Sequence, residues 1–279
     1  MEHETEQTTE QLEEAVGGAD AVHTVVDEAA AHAESHSPLE QFTIKPLFEV
    51  NLGGLDVSFT NSSLWMAIAI AVVTLLFFYA TRAQRLVPTR LQALAEMLYG
   101  ITANMVRDNV GSEGRKYFPF IFTLFMFVLF GNLLGLIPYS FTYTSHIVVT
   151  FTMAAIIFVA VTVIGIVRHG LGFGRLFFPE GAPPATAVVL IPIELISYLS
   201  RPVSLSVRLF ANMTVGHVLL KVIAGFVIGI GASMFVVPGI IPFALLVAVT
   251  VLELLVAVIQ AYVFAILTCI YLHDALHLH

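Results

Sequence analysis

Two apolar stretches in the last third of the chain contain ionisable side chains whose chemistry suits proton transfer within a membrane. An ionisable group at mid-membrane costs about 2.5–3.5 kcal/mol to insert, so it usually faces a partner or a water-filled path. Carboxylate and imidazole groups exchange protons, whereas a guanidinium keeps its charge and can only attract or discharge a carboxylate. The polar and ionisable residues considered in stretches 183–230 and 236–272 are Glu194, Arg201, Arg208, His217, Lys221, Glu253 and Gln260.

The spacing of these residues predicts two contacts between the stretches. If both are helices, antiparallel about a turn centred near residue 235, His217 lies 18 residues before the turn and Glu253 lies 18 after it. Arg208 then lies 27 residues before the turn and Gln260 lies 25 after it. We expect a titratable His217–Glu253 couple, whose charged forms attract by about 4 kcal/mol at about 4 Å and an effective dielectric of about 20. In the second contact, the Gln260 amide holds the Arg208 guanidinium without neutralising it.

The ionisable residues of the first stretch also fall on distinct faces and depths. Arg208 and His217 are nine residues apart, which places them on opposite sides of a helix, whereas Glu194, Arg201 and Arg208 share one stripe. Glu194 then belongs to the inner half of the membrane, Arg208 to the middle and His217 to the outer half. Two aqueous half-paths separated by a permanent charge have this layout. For Arg201 and Lys221, a position near a helix end with the charge reaching the interface is an equally good interpretation.

Several uncharged polar residues are candidates for lining the two paths. Each serine among them could equally bond to the backbone of its own helix. The candidates are Ser197, Ser200, Ser204 and Ser206 on the inner side of Arg208, Asn212 one turn outward, and Asn132 in an earlier apolar run.

The composition predicts an all-α integral membrane protein. Of 279 residues, 58% are hydrophobic and 11% are charged, against roughly 25% charged in a soluble domain. We expect about five transmembrane helices, the last two long and tilted and forming a hairpin, because both exceed the length that a perpendicular span needs. Segment 89–111 has one apolar face and predicts an interfacial amphipathic helix. The predicted spans are 64–80, 117–138, 146–167, 183–230 and 236–272, within a membrane domain of residues 41–279.

The placement of charge predicts an orientation. Residues 1–63 hold 13 of the 20 acids and a single base, and residues 1–40 are expected to form a disordered acidic tail. Basic residues follow alternate spans, which puts those ends in the cytoplasm, the N-terminus outside and the C-terminus inside. The basic residues are Arg82, Arg85, Arg90, Arg115, Lys116, Arg168 and Arg175.

Two function classes are excluded by the residue inventory. A net charge of −8 with no basic face excludes nucleic-acid binding. The single Cys269 excludes a disulfide framework and a cysteine zinc site.

Three segments resemble the subunit a family of the F-type ATP synthases. They are 201–213 (RPVSLSVRLFANM) followed by Gly216 and His217, 260–268 (QAYVFAILT), and 132–138 (NLLGLIP). Glu194, fourteen residues before Arg208, also matches, and the resemblance covers residues 40–279.

The resemblance implies a non-catalytic stator subunit that packs against a rotating ring of c subunits and provides two offset proton half-channels. Arg208 matches the family's essential arginine, and Glu194 matches its inner-path carboxylate. The outer-path and interface positions are matched by Asn212, His217, Glu253 and Gln260. The resemblance further implies contacts with b and b′ peripheral stalk subunits and the lipid bilayer, and no cofactor or metal is expected. The acidic tail and the lack of a transit peptide favour a bacterial inner membrane over a mitochondrial one, although a mitochondrially encoded chain would also lack a transit peptide.

The chain departs from some bacterial members of that family in two places. Those members have Glu where this chain has His217 and His where it has Glu253, so the pair is exchanged here. Some members have Asp at the position of Gly135, so the outer path must rely on other groups. Protons are favoured over sodium as the coupled ion because of the His217–Glu253 pair, although in this family the c subunit largely sets that choice.

Two rival functions would also use these residues. A secondary transporter would use Arg208 for an anionic substrate and His217 with Glu253 for proton coupling, but the chain has no second copy of the long hairpin. An intramembrane metalloenzyme needs a compact His and Glu cluster. The nearest candidate set is His273, Asp274, His277 and His279, which we interpret as a solvated terminus.

Overall fold

A computed structural model describes residues 42–48, 51–52, 55–56, 58–82, 87–137, 140–177, 187–233 and 236–277. The chain divides into two compact units, residues 1–43 and 44–279. Only residues 42 and 43 of the first unit are described, so the predicted acidic tail lies outside the described residues.

A short antiparallel ribbon precedes the helices of the second unit. Pro46–Phe48 (β1) pairs with Phe59–Thr60 (β4), and Asn51–Leu52 (β2) pairs with Leu55–Asp56 (β3). This ribbon is not predictable from the sequence, because strands of two or three residues leave no periodic signal.

Six long α-helices follow the ribbon in the described chain, with short 3₁₀ helices in some of the connections. Five of them are long and apolar enough to cross a membrane, which confirms the predicted all-α membrane fold. The exception is α2. Thr89 caps its N-terminus, where the Thr89 hydroxyl accepts a hydrogen bond from the Gln92 backbone N–H. The helices are α1 (Asn61–Arg82), α2 (Arg90–Val110), α3 (Phe118–Gly135), α4 (Ile147–His169), α5 (Ala187–Ser233) and α6 (Val236–Leu276).

The core forms where α5 and α3 pack against one narrow stripe of α6. That stripe consists of small residues spaced four apart, Ala257, Ala261, Ala265 and Cys269, and all four are fully buried. Small side chains let helix backbones approach closely, which replaces the hydrophobic drive that is absent between helices in lipid. Leu205, Leu209 and Met213 of α5 belong to the same buried cluster. The stripe therefore sets which face of α6 turns inward.

An ion pair joins α5 to α6 near the C-terminal end of the chain. Arg201 Nη1 lies 3.0 Å from Asp274 Oδ2, and the guanidinium lies 5.4 Å from the ring centre of Tyr198 and 5.1 Å from that of Tyr271. Arg201 therefore has a partner on α6, and Asp274 takes part in an ion pair between helices. Charge and ring contacts together hold these two helix segments side by side.

Removing one partner of this ion pair is expected to destabilise the hairpin. Asp274→Asn and Arg201→Met should each lower the free energy of unfolding by about 1 kcal/mol, because the remaining charge is left partly buried without its partner. The double variant should lose less than the two single losses combined. Unfolding of the purified chain in detergent measures this cycle.

The control is Arg107→Met, which breaks the exposed pair between Arg107 and Asp108. That variant is expected to unfold like the wild type. Strictly additive losses for Arg201→Met and Asp274→Asn would contradict the coupling.

Candidate functional site

The predicted contact between His217 and Glu253 is present. His217 Nδ1 lies 3.7 Å from Glu253 Oε1 between α5 and α6, and the side chains are 9% and 2% exposed. Among the described residues, neither carboxyl oxygen of Glu253 has a hydrogen-bond partner. A proton donor and a proton acceptor thus face each other in a buried setting, with unfilled hydrogen-bonding capacity on the carboxyl side.

Glycine makes room for this contact. A Cβ atom built at Gly216 would lie 2.7 Å from Glu253 Oε1 and 3.1 Å from its Cδ. The carboxyl group of Glu253 therefore lies against the backbone of α5, where any larger residue at position 216 would displace it. Gly216 precedes His217, so the same turn of α5 supplies both the imidazole and the space for its partner.

The link between α3 and α4 closes the other side of His217. Thr142 Oγ1 lies 3.0 Å from His217 Nε2. Phe141, Thr142, Tyr143, Thr144 and Ser145 are all buried. This link, residues 140–145, therefore folds back among the helices.

This link packs against two glycines of α3. A Cβ atom at Gly135 would lie 2.5 Å from Thr142 Oγ1, and one at Gly131 would overlap the Tyr143 hydroxyl. Gly131 and Gly135 are four residues apart, so they open one face of α3. The Tyr143 hydroxyl donates to the Phe127 carbonyl at 2.8 Å, which fixes the link on that face.

The predicted contact between Gln260 and Arg208 is wrong, because Gln260 pairs with Asn212 instead. Gln260 Oε1 accepts a 2.7 Å hydrogen bond from Asn212 Nδ2, and no hydrogen bond or ion pair joins Gln260 to Arg208 among the described residues. Asn212 and Arg208 lie one turn apart on α5, so a residue count from the turn does not distinguish them. Gln260 is 3% exposed, and its Nε2 atom has no hydrogen-bond partner within the described chain.

Arg208 lies on the exposed side of the α5–α6 pair. Its side chain is exposed, as are Val207 and Val215 nearby on α5 and Leu255 on α6. In the part of the chain that the structure describes, no hydrogen bond or ion pair satisfies its guanidinium. A permanent cation is thus displayed on a largely apolar surface.

Asn132 is a fully buried connection between helices. Its Nδ2 donates to the Ala257 carbonyl of α6 at 3.2 Å, and its Oδ1 accepts from the Thr144 hydroxyl at 2.9 Å. Thr214 of α5 donates to the Ser145 carbonyl at 3.2 Å. Asn132 and the buried link therefore tie α3, α5 and α6 together around the His217–Glu253 pair.

The predicted inner-path residues lie along α5 before Arg208. Glu194 is partly buried, and Ser197, Ser200 and Ser204 are exposed. The Ser200 hydroxyl donates to the Ser197 carbonyl at 2.7 Å, and the buried Ser206 hydroxyl donates to the Val203 carbonyl at 2.9 Å. These two serines therefore bond within their own helix.

The C-terminal histidines do not gather into a metal centre among the described residues. No group of three or more His, Cys, Asp or Glu residues able to hold a metal occurs there. His273 and His277 stack with ring centres 4.6 Å apart, and His279 lies outside the described residues.

Comparison with known proteins identifies the family. The model of the family described as "ATP synthase A chain" matches residues 63–273, which include every ionisable residue of the site. The chain belongs to the ATP synthase A chain family. It is non-catalytic by itself, because catalysis in the synthase lies in other subunits.

The chain aligns with relatives in this family over nearly the whole length of each relative. The ATP synthase subunit a of Rhodospirillum rubrum is 62% identical over 244 residues, 88% of this chain and 100% of the relative. The subunit a of Paramagnetospirillum magneticum is 61% identical over 246 residues, 87% and 99% of the two chains. That of Mesorhizobium japonicum is 53% identical over 247 residues, 88% and 98%.

Three link residues of this A chain, Thr142, Thr144 and Ser145, were not predicted as part of the site. Their hydroxyls or carbonyls contact His217, Asn132 and Thr214. A signal was present, because residues 140–145 contain four hydroxyl groups besides that of Tyr143 between two apolar runs. That composition is also typical of an ordinary turn, so the sequence gives no reason to choose the buried alternative.

Filling the space at Gly216 is expected to damage the site. Gly216→Ala should lower the free energy of unfolding by about 1–3 kcal/mol, because the added methyl group displaces the Glu253 carboxyl. Thermal unfolding in detergent measures the loss. Gly225→Ala is the matched control in α5, since a Cβ there meets nothing within 4 Å. Equal stabilities for the two variants would show that Glu253 does not need this space.

Proposed function

We propose that this chain is the proton-conducting stator subunit of an F-type ATP synthase and provides two offset half-channels beside a rotating ring. Arg208 separates the half-channels. The outer one contains Asn212, His217, Glu253 and Gln260, and the inner one contains Glu194. Ring rotation carries each proton from one half-channel to the other, which couples proton flow to ATP synthesis in the rest of the complex.

The observation that carries this proposal is the exposed, unpaired Arg208. A permanent cation at mid-membrane costs about 2.5–3.5 kcal/mol unless it finds a partner. Within the described chain no acid supplies one. A carboxylate on another subunit satisfies the guanidinium, and the apolar side chains around Arg208 suit a helical ring surface. Because arginine does not release its proton, the same contact blocks a direct leak.

The buried polar atoms support an outer half-channel. Both Glu253 carboxyl oxygens and Gln260 Nε2 have no hydrogen-bond partner among the described residues. Buried polar groups are normally satisfied by protein or ordered water. Water in a narrow path beside α6 satisfies these atoms and delivers protons to the His217–Glu253 pair. Asn132 forms part of the wall of this path.

The inner half-channel begins at Glu194. Fourteen residues separate Glu194 from Arg208, about 21 Å along a helix. The exposed hydroxyls of Ser197, Ser200 and Ser204 lie between them. His217 is about 13 Å beyond Arg208 in the other direction and on the opposite side of α5. Arg208 therefore lies between the inner residues and His217 along this helix.

The partners and orientation follow from this role. The chain is a membrane subunit of the ATP synthase complex, and we infer contacts with the c ring, with b and b′ stalk subunits and with lipid. The basic residues at the ends of α1 and α4 lie on the cytoplasmic side of a bacterial inner membrane. The acidic tail, residues 1–40, is then periplasmic and the C-terminus cytoplasmic.

Loss of Arg208 is expected to abolish pumping. In inverted membrane vesicles that carry the assembled complex, Arg208→Ala should stop ATP-driven acidification and raise passive proton leak, because the barrier between the half-channels is gone. Arg107→Ala, which removes an exposed arginine on α2, is the control and should pump normally. Normal pumping by an assembled Arg208→Ala complex would reject the mechanism and favour a transporter.

Exchange of the buried pair is expected to preserve part of the activity. His217→Glu combined with Glu253→His keeps one imidazole and one carboxyl in contact, so the double variant should pump faster than either single variant. Acidification rates, normalised to the amount of assembled complex, measure this. A double variant no faster than the slower single variant would refute the functional contact.

A further inference from the structure

We propose that Thr142 is a positioning residue for proton transfer in the outer half-channel, where its hydroxyl holds the His217 ring with Nδ1 facing Glu253. This inference rests on the proposed function, since it adds a residue to the same path. Thr142 lies in the link between α3 and α4, between the motif segments 132–138 and 201–213.

The hydrogen bonds of Thr142 define the arrangement. Its Oγ1 donates to the Gly135 carbonyl at 3.3 Å and lies 3.0 Å from His217 Nε2. A hydroxyl has one hydrogen but two lone pairs. While that hydrogen points at the Gly135 carbonyl, Nε2 must be the donor to Thr142. Neutral His217 then carries its hydrogen on Nε2 and its lone pair on Nδ1, the atom 3.7 Å from Glu253 Oε1.

This arrangement prepares the transfer of one proton. When the Glu253 carboxyl is protonated, its hydrogen faces the lone pair of Nδ1. Transfer breaks the O–H bond and forms an N–H bond, which leaves a Glu253 carboxylate beside a His217 imidazolium. The reverse step restores both neutral groups. The opposite tautomer, with hydrogen on Nδ1, cannot accept that proton on the same atom.

Ser140 shares the carbonyl acceptor that Thr142 uses. The Ser140 hydroxyl also donates to the Gly135 carbonyl, at 3.0 Å. Both hydroxyls therefore hold the link at the end of α3. Nε2 carries a hydrogen in the neutral Nε2 tautomer and in the imidazolium, so Thr142 accepts from it before and after the transfer and the ring keeps its orientation.

The lack of a side chain at Gly135 leaves space for the Thr142 hydroxyl. A Cβ atom at Gly135 would lie 2.5 Å from Thr142 Oγ1 and 2.7 Å from its Cγ2. Thr142 thus occupies the space that a side chain at position 135 would take. Thr142 is 5% exposed, so bulk water does not substitute for the hydroxyl without rearrangement of the link.

The test compares three threonine variants in the whole complex. Thr142→Val keeps the shape but removes the hydroxyl, and its initial rate of ATP-driven acidification should fall about tenfold, the factor for one lost buried hydrogen bond. Thr142→Ser should retain most of the rate. Thr150→Val is the matched control, because the buried Thr150 hydroxyl bonds only to the His146 and Ile147 carbonyls, four and three residues earlier, among the described residues.

A second readout reports the histidine directly. Nitrogen NMR of the complex with labelled histidine, compared with a His217→Gln complex to identify the signal, should show hydrogen on Nε2 in the wild type and in Thr142→Ser. An Nδ1 hydrogen in neutral wild-type His217 would overturn the inference even if Thr142→Val fails to assemble. So would wild-type pumping by an assembled Thr142→Val complex. Normal pumping by Arg208→Ala would instead refute the proposed function and leave the tautomer unaffected.

Discussion

The buried contact between the His217 imidazole and the Glu253 carboxyl is the constraint on which the rest of the structure depends. Each group would be costly to bury in a membrane alone, so the two helices that carry them must meet at one depth. Gly216 provides the space for the carboxyl, and the stripe that begins at Ala257, one turn beyond Glu253, lets the backbones approach. Arg201 and Asp274 hold the same pair of helices farther along.

The regular geometry of α5 separates a titratable site from a permanent charge without any extra element. His217 faces inward among helices, and Arg208, nine residues earlier, is exposed. Nine residues turn a helix by about half a revolution and advance it by about 13 Å. One rigid helix therefore displays a proton-exchanging group and a fixed cation on different faces and at different depths. A barrier between two half-channels requires this separation.

The sequence was sufficient to predict the helices and the His217–Glu253 contact, because long apolar runs and rare buried charges leave strong signals. It did not resolve which residue opposes Gln260. Counting from a turn sets the register only to within about one helical turn, and Arg208 and Asn212 are one turn apart on α5. The register also drifts, since the midpoint of Arg201 and Asp274 lies about two to three residues beyond that of His217 and Glu253.

The buried link between α3 and α4 could not be predicted for a different reason. Hydroxyl residues between two helices are typical of an exposed turn, and only the open face at Gly131 and Gly135 admits Tyr143 and Thr142. That face is visible only once α3 and the link are placed together. These glycines therefore contribute by leaving space for side chains of the link. At position 135 this space lets a hydroxyl reach His217 from the opposite side to Glu253, so both ring nitrogens lie near a proton-exchanging or hydrogen-bonding partner.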